Sequence, residues 1–320
     1  MPPNDIPNVT ETLWFGDENL AHNLGIDHPL VAVRDLNAAI ETYRSLGFHI
    51  APPGQHPWGT STALALFRNQ LLELVSVGDA TLLDGYETNG FLFGRHIERY
   101  LETSEGVALS ALFTEDAEAE VAALSARGIT CTGTVDFGRD VIRSDGQPDR
   151  TKTTLKVFRN DTLPRLSVFA CQQHRRDLLE FPDRMEHPNG SHGFEAATIA
   201  SEDSDSASVL EWLINLHGSD VTKDADGFTM VQTTNGFWRV MNPDRYQTFY
   251  GTELPANYLA DGPRVAALDV RVSDLAVFNL AAIAPSVPLT QIGDALVAND
   301  MSKLGGISMR FVARPKQRAE

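Results

Sequence analysis

The stretch IDHPLVAVRDLNAAIETYRSLGF, residues 26–48, joins a strand pattern directly to a helix pattern. After the apolar run VAV, apolar residues from Leu36 to Leu46 recur with the i, i+3, i+4, i+7 spacing of an amphipathic helix. Asp35 is placed to cap the start of this helix, and Gly47 is placed to end it. The stretch therefore predicts a β-strand that leads into an amphipathic helix.

Further strand signals follow this helix. A strand is expected from Phe48, and the runs STALALF and QLLELVSV lie beyond the breaker-rich loop PPGQHPWGT. The first module is therefore predicted to be a βαβββ unit.

The same order of signals returns along the chain. In VALSALFTEDAEAEVAALSARGITC, Asp116 and Gly128 stand twelve residues apart, as Asp35 and Gly47 do. Weaker copies begin at FEAATIASEDSD and at VAALDVRVSD. Because a lone βαβββ unit leaves one sheet face uncovered, we expect the modules to pair. The sequence predicts an α+β fold of four βαβββ modules arranged as two paired-module halves.

Three segments are predicted from this pattern. Residues 1–25 form an N-terminal extension, residues 26–180 form the first module pair, and residues 181–320 form the second pair. The second pair is degenerate, because its expected last strands, in VMNPDRYQTFYG and GGISMRFV, offer Met, Arg and Ser in place of a His and Glu combination. It is expected to cap the cavity of the first pair or to form a homodimer.

Composition limits the partners. The 320 residues include 26 Lys plus Arg and 43 Asp plus Glu, a net charge of −17 that disfavours nucleic acid and anionic membranes. The beginning of the sequence lacks the basic start and apolar run of a signal peptide, and two cysteines are too few for a disulfide framework. We expect a cytoplasmic protein whose partner is a small-molecule substrate.

His28 and Glu73 are ionisable residues in strands that ought to be buried. Burying either charge without a partner costs several kcal/mol, so something should compensate each. A His–Glu ion pair, or a core histidine with an exposed glutamate, is one explanation. A divalent metal bound by the imidazole and the carboxylate is the other.

The segments DHPLVAVRDL, SLGF, HPWGT and LLELVSV together resemble a glyoxalase-like domain of the vicinal oxygen chelate superfamily. The resemblance is good over residues 26–77 and fair to about residue 200. It implies a divalent metal ion, Fe, Mn, Zn or Ni, held by first-strand and last-strand residues, which here are His28 and Glu73.

Repeat two departs from that pattern, because aligning Asp35 with Asp116 puts Leu109 opposite His28. A third ligand is therefore expected from the end of the strand LSVFACQQHRRD: His174 is the first choice and Gln173 the second. A polar strand end that faces solvent is the alternative for both.

The resemblance implies a metal-dependent lyase or isomerase of the glyoxalase kind, acting on a small oxygenated substrate through bidentate metal chelation. Glu73, or His56 in the loop HPWGT, would move the proton, although His56 is equally compatible with packing on Trp58. An extradiol ring-cleaving dioxygenase and a non-catalytic protein that sequesters a small ligand are the alternatives. The sequence leaves the substrate and the metal open.

Overall fold

The computed structural model describes residues 24–143, 145–224, 227–281 and 285–314. The predicted extension, residues 1–25, lies outside the described residues except for its last two. Elements of the first half are, in order, β1 (Gly25–Ala32), α1 (Leu36–Ser45), β2 (Gly54–Gln55), β3 (Thr60–Phe67), β4 (Gln70–Val77), α2 (Phe93–Thr103), β5 (Gly106–Phe113), α3 (Ala117–Ala126), β6 (Gly133–Phe137), β7 (Asp140–Ile142), β8 (Pro148–Arg150), β9 (Thr153–Phe158) and β10 (Val168–Gln173). Those of the second half are β11 (Ser191–Ala200), α4 (Ser206–His217), β12 (Val221–Lys223), β13 (Thr229–Gln232), β14 (Phe237–Met241), α5 (Pro243–Tyr250), β15 (Arg264–Val272), α6 (Leu275–Ala281), β16 (Leu289–Ile292), β17 (Ala295–Ala298) and β18 (Ser308–Ala313).

Each half forms one eight-stranded sheet. The first has the order β2-β3-β4-β1-β5-β10-β9-β6, and the second has the order β12-β13-β14-β11-β15-β18-β17-β16. In both sheets the first strands of two modules lie antiparallel at the centre, and each is flanked by the parallel last strand of its own module. The α+β fold of four βαβββ modules in two paired halves is confirmed.

The helix boundaries follow the cap residues seen in the sequence. The Asp35 carboxylate accepts the backbone N–H of Ala38 at 2.9 Å, and Asp116 accepts two backbone N–H groups at the start of α3. Gly47 and Gly128 both have φ = 82°, a conformation that favours glycine just beyond a helix. The two modules therefore begin and end their helices in the same way.

Two expected strands differ from the structure. The strand expected from Phe48 shortens to β2, because Pro52 and Pro53 cannot donate ladder hydrogen bonds. In VMNPDRYQTFYG the strand stops at Met241, and α5 begins at Pro243 because the Asn242 side chain caps it. In the described ranges, the helices are too short or too polar to cross a membrane.

A shared core joins the two halves. It combines residues of β1 and α1 with residues of α4 and the second sheet. The Tyr43 hydroxyl, fully buried, donates to the carbonyl oxygen of Leu304 at 3.0 Å, and Phe48 lies beside Phe311. A separate cluster fills the inside of the first sheet, where Phe93 and Ile97 of α2 contribute to the walls. The connector helix α2 therefore closes the interior of the first module pair.

Candidate active site

The interior of the first sheet contains a cavity of about 50 Å³. Aromatic and aliphatic side chains form most of its wall, among them Trp58, Phe93, Phe137 and Phe169. Polar side chains from five strands and two loops reach it: His28, His56, Thr60, Thr62, Glu73, Arg139, Thr153 and Gln173. A mostly apolar cavity with a few convergent polar groups is the usual form of a small-molecule site.

His28 and Glu73 meet inside this cavity. Strands β1 and β4 are parallel neighbours with Leu30 opposite Glu73, and His28 shares the inward face of β1 with Leu30 because side chains alternate along a strand. The Nε2 atom of His28 lies 3.3 Å from Oε2 of Glu73. The Thr62 hydroxyl donates to the other carboxylate oxygen at 2.7 Å. All three residues are buried, so the pair is shielded from solvent.

Asp27 supports His28 from the opposite side of the ring. Its Oδ1 atom lies 3.5 Å from His28 Nδ1, and its Oδ2 atom accepts a hydrogen bond from Arg176 at 3.3 Å. Burial lowers the pKa of the His28 imidazole, but the carboxylates of Asp27 and Glu73 outweigh burial and raise the pKa above its ordinary value. The two carboxylates therefore favour the protonated form of His28.

His56 reaches the site from the loop before β3. Its ring is stacked on Trp58 at a centroid distance of 4.7 Å, and its Nδ1 atom lies 3.0 Å from the Thr60 hydroxyl. The Nε2 atom lies 4.0 Å from Oε1 of Glu73. Burial, and the positive charges of Arg139 and His28, lower the pKa of His56 to about 4 although Glu73 opposes them. His56 is thus a neutral imidazole next to the carboxylate.

The end of β10 presents Gln173, not His174, to the cavity. Gln173 lines the cavity, and its Oε1 atom accepts a hydrogen bond from Thr153 at 2.7 Å. His174 is exposed, and its Nε2 atom lies 2.9 Å from the Thr154 hydroxyl. Successive side chains point to opposite faces of a strand, which separates the two residues. The first choice for a third ligand therefore lies away from His28 and Glu73, and the second choice faces the cavity they share.

The second module carries apolar residues where the first carries His28 and Glu73. Ala111 stands opposite Phe169 as Leu30 stands opposite Glu73, so Phe169 takes the place of the glutamate. Two residues before Ala111 lies Leu109, the counterpart of His28. The Phe169 ring meets the His28 ring edge to face at 5.8 Å. The histidine–glutamate pair therefore comes from the first module alone, and the second module carries Leu109 and Phe169 at the matching positions.

In the second half, an arginine replaces the glutamate. The β11–β14 ladder ends as the β1–β4 ladder does, and counting back places Arg239 at the position of Glu73. Asp269 is fully buried and accepts from Arg239 at 2.9 Å, from Arg310 at 3.2 Å and from the Tyr250 hydroxyl at 2.8 Å. An ion-pair cluster thus occupies the position that corresponds to Glu73 in the first half, and a pocket of about 730 Å³ lined in part by Arg310 lies next to it.

The divalent metal that the resemblance implies would need imidazole nitrogen and carboxylate oxygen ligands that converge on one point. His28 Nε2 and Glu73 Oε2 converge within 3.3 Å, and Asp27 lies behind the other ring nitrogen as carboxylates do behind metal-bound imidazoles. Within the described ranges, no group of three His, Cys, Asp or Glu side chains is arranged to hold a metal. These residues fit a divalent ion that would have two such protein ligands and would take its remaining ligands from amide, water or substrate oxygens.

Sequence reasoning missed several residues of the site. Asp27 could have been found, because an acidic residue beside His28 in a buried strand needs a partner as much as the histidine does. Thr62 and Arg139 left no such signal: a threonine is ordinary in a strand, and an arginine is ordinary in a loop. Their positions depend on the sheet pairing.

Several solved structures share the fold of this chain at low sequence identity. A hypothetical protein from Staphylococcus aureus has a similar structure, with a TM-score of 0.63, 15% identity, and coverage of 91% of this chain and 100% of that chain. A fusion of a xylose isomerase-like TIM barrel with 4-hydroxyphenylpyruvate dioxygenase has a TM-score of 0.57 at 12% identity, over 94% of this chain and 50% of its own. A mutant of 4-hydroxymandelate synthase from Streptomyces coelicolor has a TM-score of 0.53 at 12% identity, over 93% and 95%.

The family follows from the sequence match. The family model described as a glyoxalase-like domain matches residues 26–214, more than half of the chain. The chain belongs to this glyoxalase-like family. No curated protein matches it significantly.

Proposed function

We propose that the first module pair is the active site of a metal-dependent lyase or isomerase that acts on a small oxygenated molecule. His28 and Glu73 would hold the metal, and Gln173 is proposed as the third ligand in preference to His174. The observation that carries the proposal is the approach of His28 Nε2 to within 3.3 Å of Glu73 Oε2 in a mostly apolar cavity. When bound, the metal would polarise substrate oxygens and stabilise developing negative charge.

The chain's own residues would orient the substrate and move the proton. Thr62 fixes one oxygen of Glu73, and Asp27 fixes the side of the His28 ring that faces away from Glu73. Thr60 and Trp58 hold the His56 ring, so that its Nε2 atom faces the centre of the site. A neutral imidazole in this position can accept a proton from a bound substrate and return it elsewhere.

A dioxygenase is the second candidate, and His56 is the observation that favours it. With His28 and Glu73 it would complete the 2-His-1-carboxylate set of non-haem iron oxygenases. One of the structures with a similar fold is named as a dioxygenase fusion. Against this, no three His, Cys, Asp or Glu side chains of the described residues, His56 included, are arranged to hold a metal.

Metal content tests the ligand set. Protein purified without chelator and dialysed against Mn(II), Fe(II), Zn(II) or Ni(II) should bind about one ion per chain. His28→Ala and Glu73→Ala should each abolish binding, and Gln173→Ala should weaken it about tenfold. His174→Ala is the matched control and should retain wild-type affinity, because His174 is exposed. A wild-type protein that holds no metal at any concentration would favour the ligand-sequestering alternative.

Oxygen dependence separates the two enzyme classes. Protein loaded anaerobically with each metal is incubated with α-keto aldehydes, their thiol adducts and catechols, and oxygen is then admitted. A lyase or isomerase should turn over without oxygen and with more than one of the metals. Turnover that begins only when oxygen enters, only with Fe(II) or Mn(II), and with stoichiometric oxygen uptake would replace the lead proposal with the dioxygenase.

A further inference from the structure

One cavity residue has no role in the site described so far. Arg139, in the turn between β6 and β7, lines the cavity together with His28 and Glu73. In the described part of the chain, its guanidinium forms no hydrogen bond and no ion pair within 4 Å, although Glu73 acts on it electrostatically. Most other cavity side chains with a full charge or a strong dipole have a fixed partner there.

We propose that Arg139 binds a carboxylate of the substrate, so that the site accepts small organic acids in preference to neutral oxygenated molecules. The inference rests on the proposed function, which puts the substrate next to His28 and Glu73. It adds a substrate class, and it gives a role to a residue that the sequence did not single out.

The backbone of Arg139 is held in place. Its N–H donates to the Thr151 hydroxyl at 2.8 Å, and its carbonyl oxygen accepts the backbone N–H of Thr151 at 2.9 Å. The side chain passes close to Gly54, where a Cβ atom would lie 3.0 Å from Nη1 of Arg139. Backbone anchoring and a glycine beside the side chain direct the guanidinium into the cavity.

Charge and geometry favour a carboxylate as the occupant. The Arg139 guanidinium is half-buried and has no ion-pair partner among the described residues, so it is available to an anionic ligand in the cavity. The planar fork of arginine matches the two oxygens of a carboxylate, with two parallel charge-assisted hydrogen bonds. Glu73 cannot serve this purpose, because its two oxygens already face Thr62, His28 and His56.

The size and wall of the cavity limit the rest of the ligand. A free space of about 50 Å³ suits a compact molecule. Phe137, two residues before Arg139, also lines the cavity and packs edge to face on Trp58 at 4.9 Å, so the cavity wall that includes Arg139 also has aromatic rings. A short acid with a carboxylate at one end and an oxygenated carbon beside it would reach Arg139 and the His28–Glu73 pair together.

Calorimetric titration of matched ligand pairs tests the proposal. Pyruvate is compared with hydroxyacetone, and glycolate with ethylene glycol, so that each acid has a neutral partner of similar size. Wild-type protein should bind at least one acid at least tenfold more tightly than its partner. Arg139→Met should remove this preference, and Arg139→Lys should retain part of it, because a lysine keeps the charge but loses the fork.

The control variant is Arg143→Met, in the loop after β7. Arg143 is exposed, pairs with Asp145 and Asp149 and lies outside the cavity, so the preference for acids should persist. Thermal unfolding of each variant shows whether it is folded, and Arg139→Lys serves as the test variant if Arg139→Met is not.

Failure of this inference can be told from failure of the proposed function. Normal metal content in every variant, with affinity for the acids that does not depend on Arg139, overturns the inference and leaves the metal site standing. Wild-type protein that binds none of the acids also overturns it. A preference for acids that depends on Arg139 in a protein that binds no metal would support the inference and refute the enzyme proposal.

Discussion

We expect the protein to lose stability in mild acid because His217 is buried as a neutral imidazole. The residue ends α4 and is buried between the halves, where its Nδ1 atom lies 3.1 Å from the carbonyl oxygen of Leu24 and its Nε2 atom accepts from Trp238 at 2.8 Å. Because Nε2 is an acceptor, the ring must be neutral with its proton on Nδ1. Burial lowers the pKa of His217 from 6.5 to about 4. Protonation would place an N–H against the indole N–H of Trp238.

The free energy of unfolding depends on pH because the folded and unfolded states of the protein bind the His217 proton with different pKa values. Since the pKa is lower in the folded protein than in the unfolded chain, the unfolded chain takes up the proton first as the pH falls. The contribution to stability is complete above pH 6.5 and declines as the pH falls towards 4. With these two pKa values, titration of His217 lowers the free energy of unfolding by about 1.4 kcal/mol when the pH falls from 7.5 to 5.5.

Urea unfolding at those two pH values, followed by tryptophan fluorescence, measures the effect. In His217→Gln the amide can accept from Trp238 and donate to Leu24, and it does not titrate. The variant should lose about 1.4 kcal/mol less than the wild type on going from pH 7.5 to pH 5.5, whatever its stability at pH 7.5. Equal losses in the two proteins would show that His217 is not held as a neutral acceptor, and the reasoning would be refuted.

Two substitutions test the buried polar groups of each half. Thr62→Val keeps the shape of the side chain but removes the 2.7 Å hydrogen bond to Glu73. Metal affinity, measured by equilibrium dialysis, should fall about tenfold with little change in stability. Wild-type affinity in this variant would show that the hydrogen bond does not position Glu73. Asp269→Asn removes the fully buried counterion of Arg239 and leaves only Asp224 among the described residues, 3.8 Å away, so it should cost about 3 kcal/mol in urea unfolding. Asp294→Asn, at an exposed partner of Arg310, should cost less than about 1 kcal/mol. A similar cost for both would contradict the importance of burial.

The fold could be predicted because it depends on local signals that repeat. Asp35 and Gly47 mark the ends of α1 by side-chain capping and by a positive φ, and Asp116 and Gly128 repeat both marks in α3. These signals survive in a single sequence, since each involves neighbours in the chain. Where a local signal was overlooked, as with the Asn-Pro helix start in VMNPDRYQTFYG, a helix was taken for a strand.

The site could be predicted only in part, because its geometry depends on which strands pair. His28 and Glu73 were conspicuous as charges in apolar strands, and the parallel pairing of β1 with β4 brings them together. The choice between Gln173 and His174 required knowing which face of β10 turns inward, and a shift of one residue reverses the answer. Arg139 belongs to a turn whose position is fixed by the pairing of β6 with β9, which no spacing in the sequence specifies.

One strand position distinguishes the interiors of the two halves. Strand β14 carries Arg239 at the position where β4 carries Glu73. The inward-facing side chain at this position is therefore a cation in the second half. A buried cation requires a counterion, and Asp269 supplies it from β15, while the Tyr250 hydroxyl of α5 donates to the same carboxylate. Such a cluster is self-contained, since each charge has a partner within the chain. In the first half, Arg139 has no ion-pair partner among the described residues and Glu73 faces a cavity, so that half has charges available for a ligand.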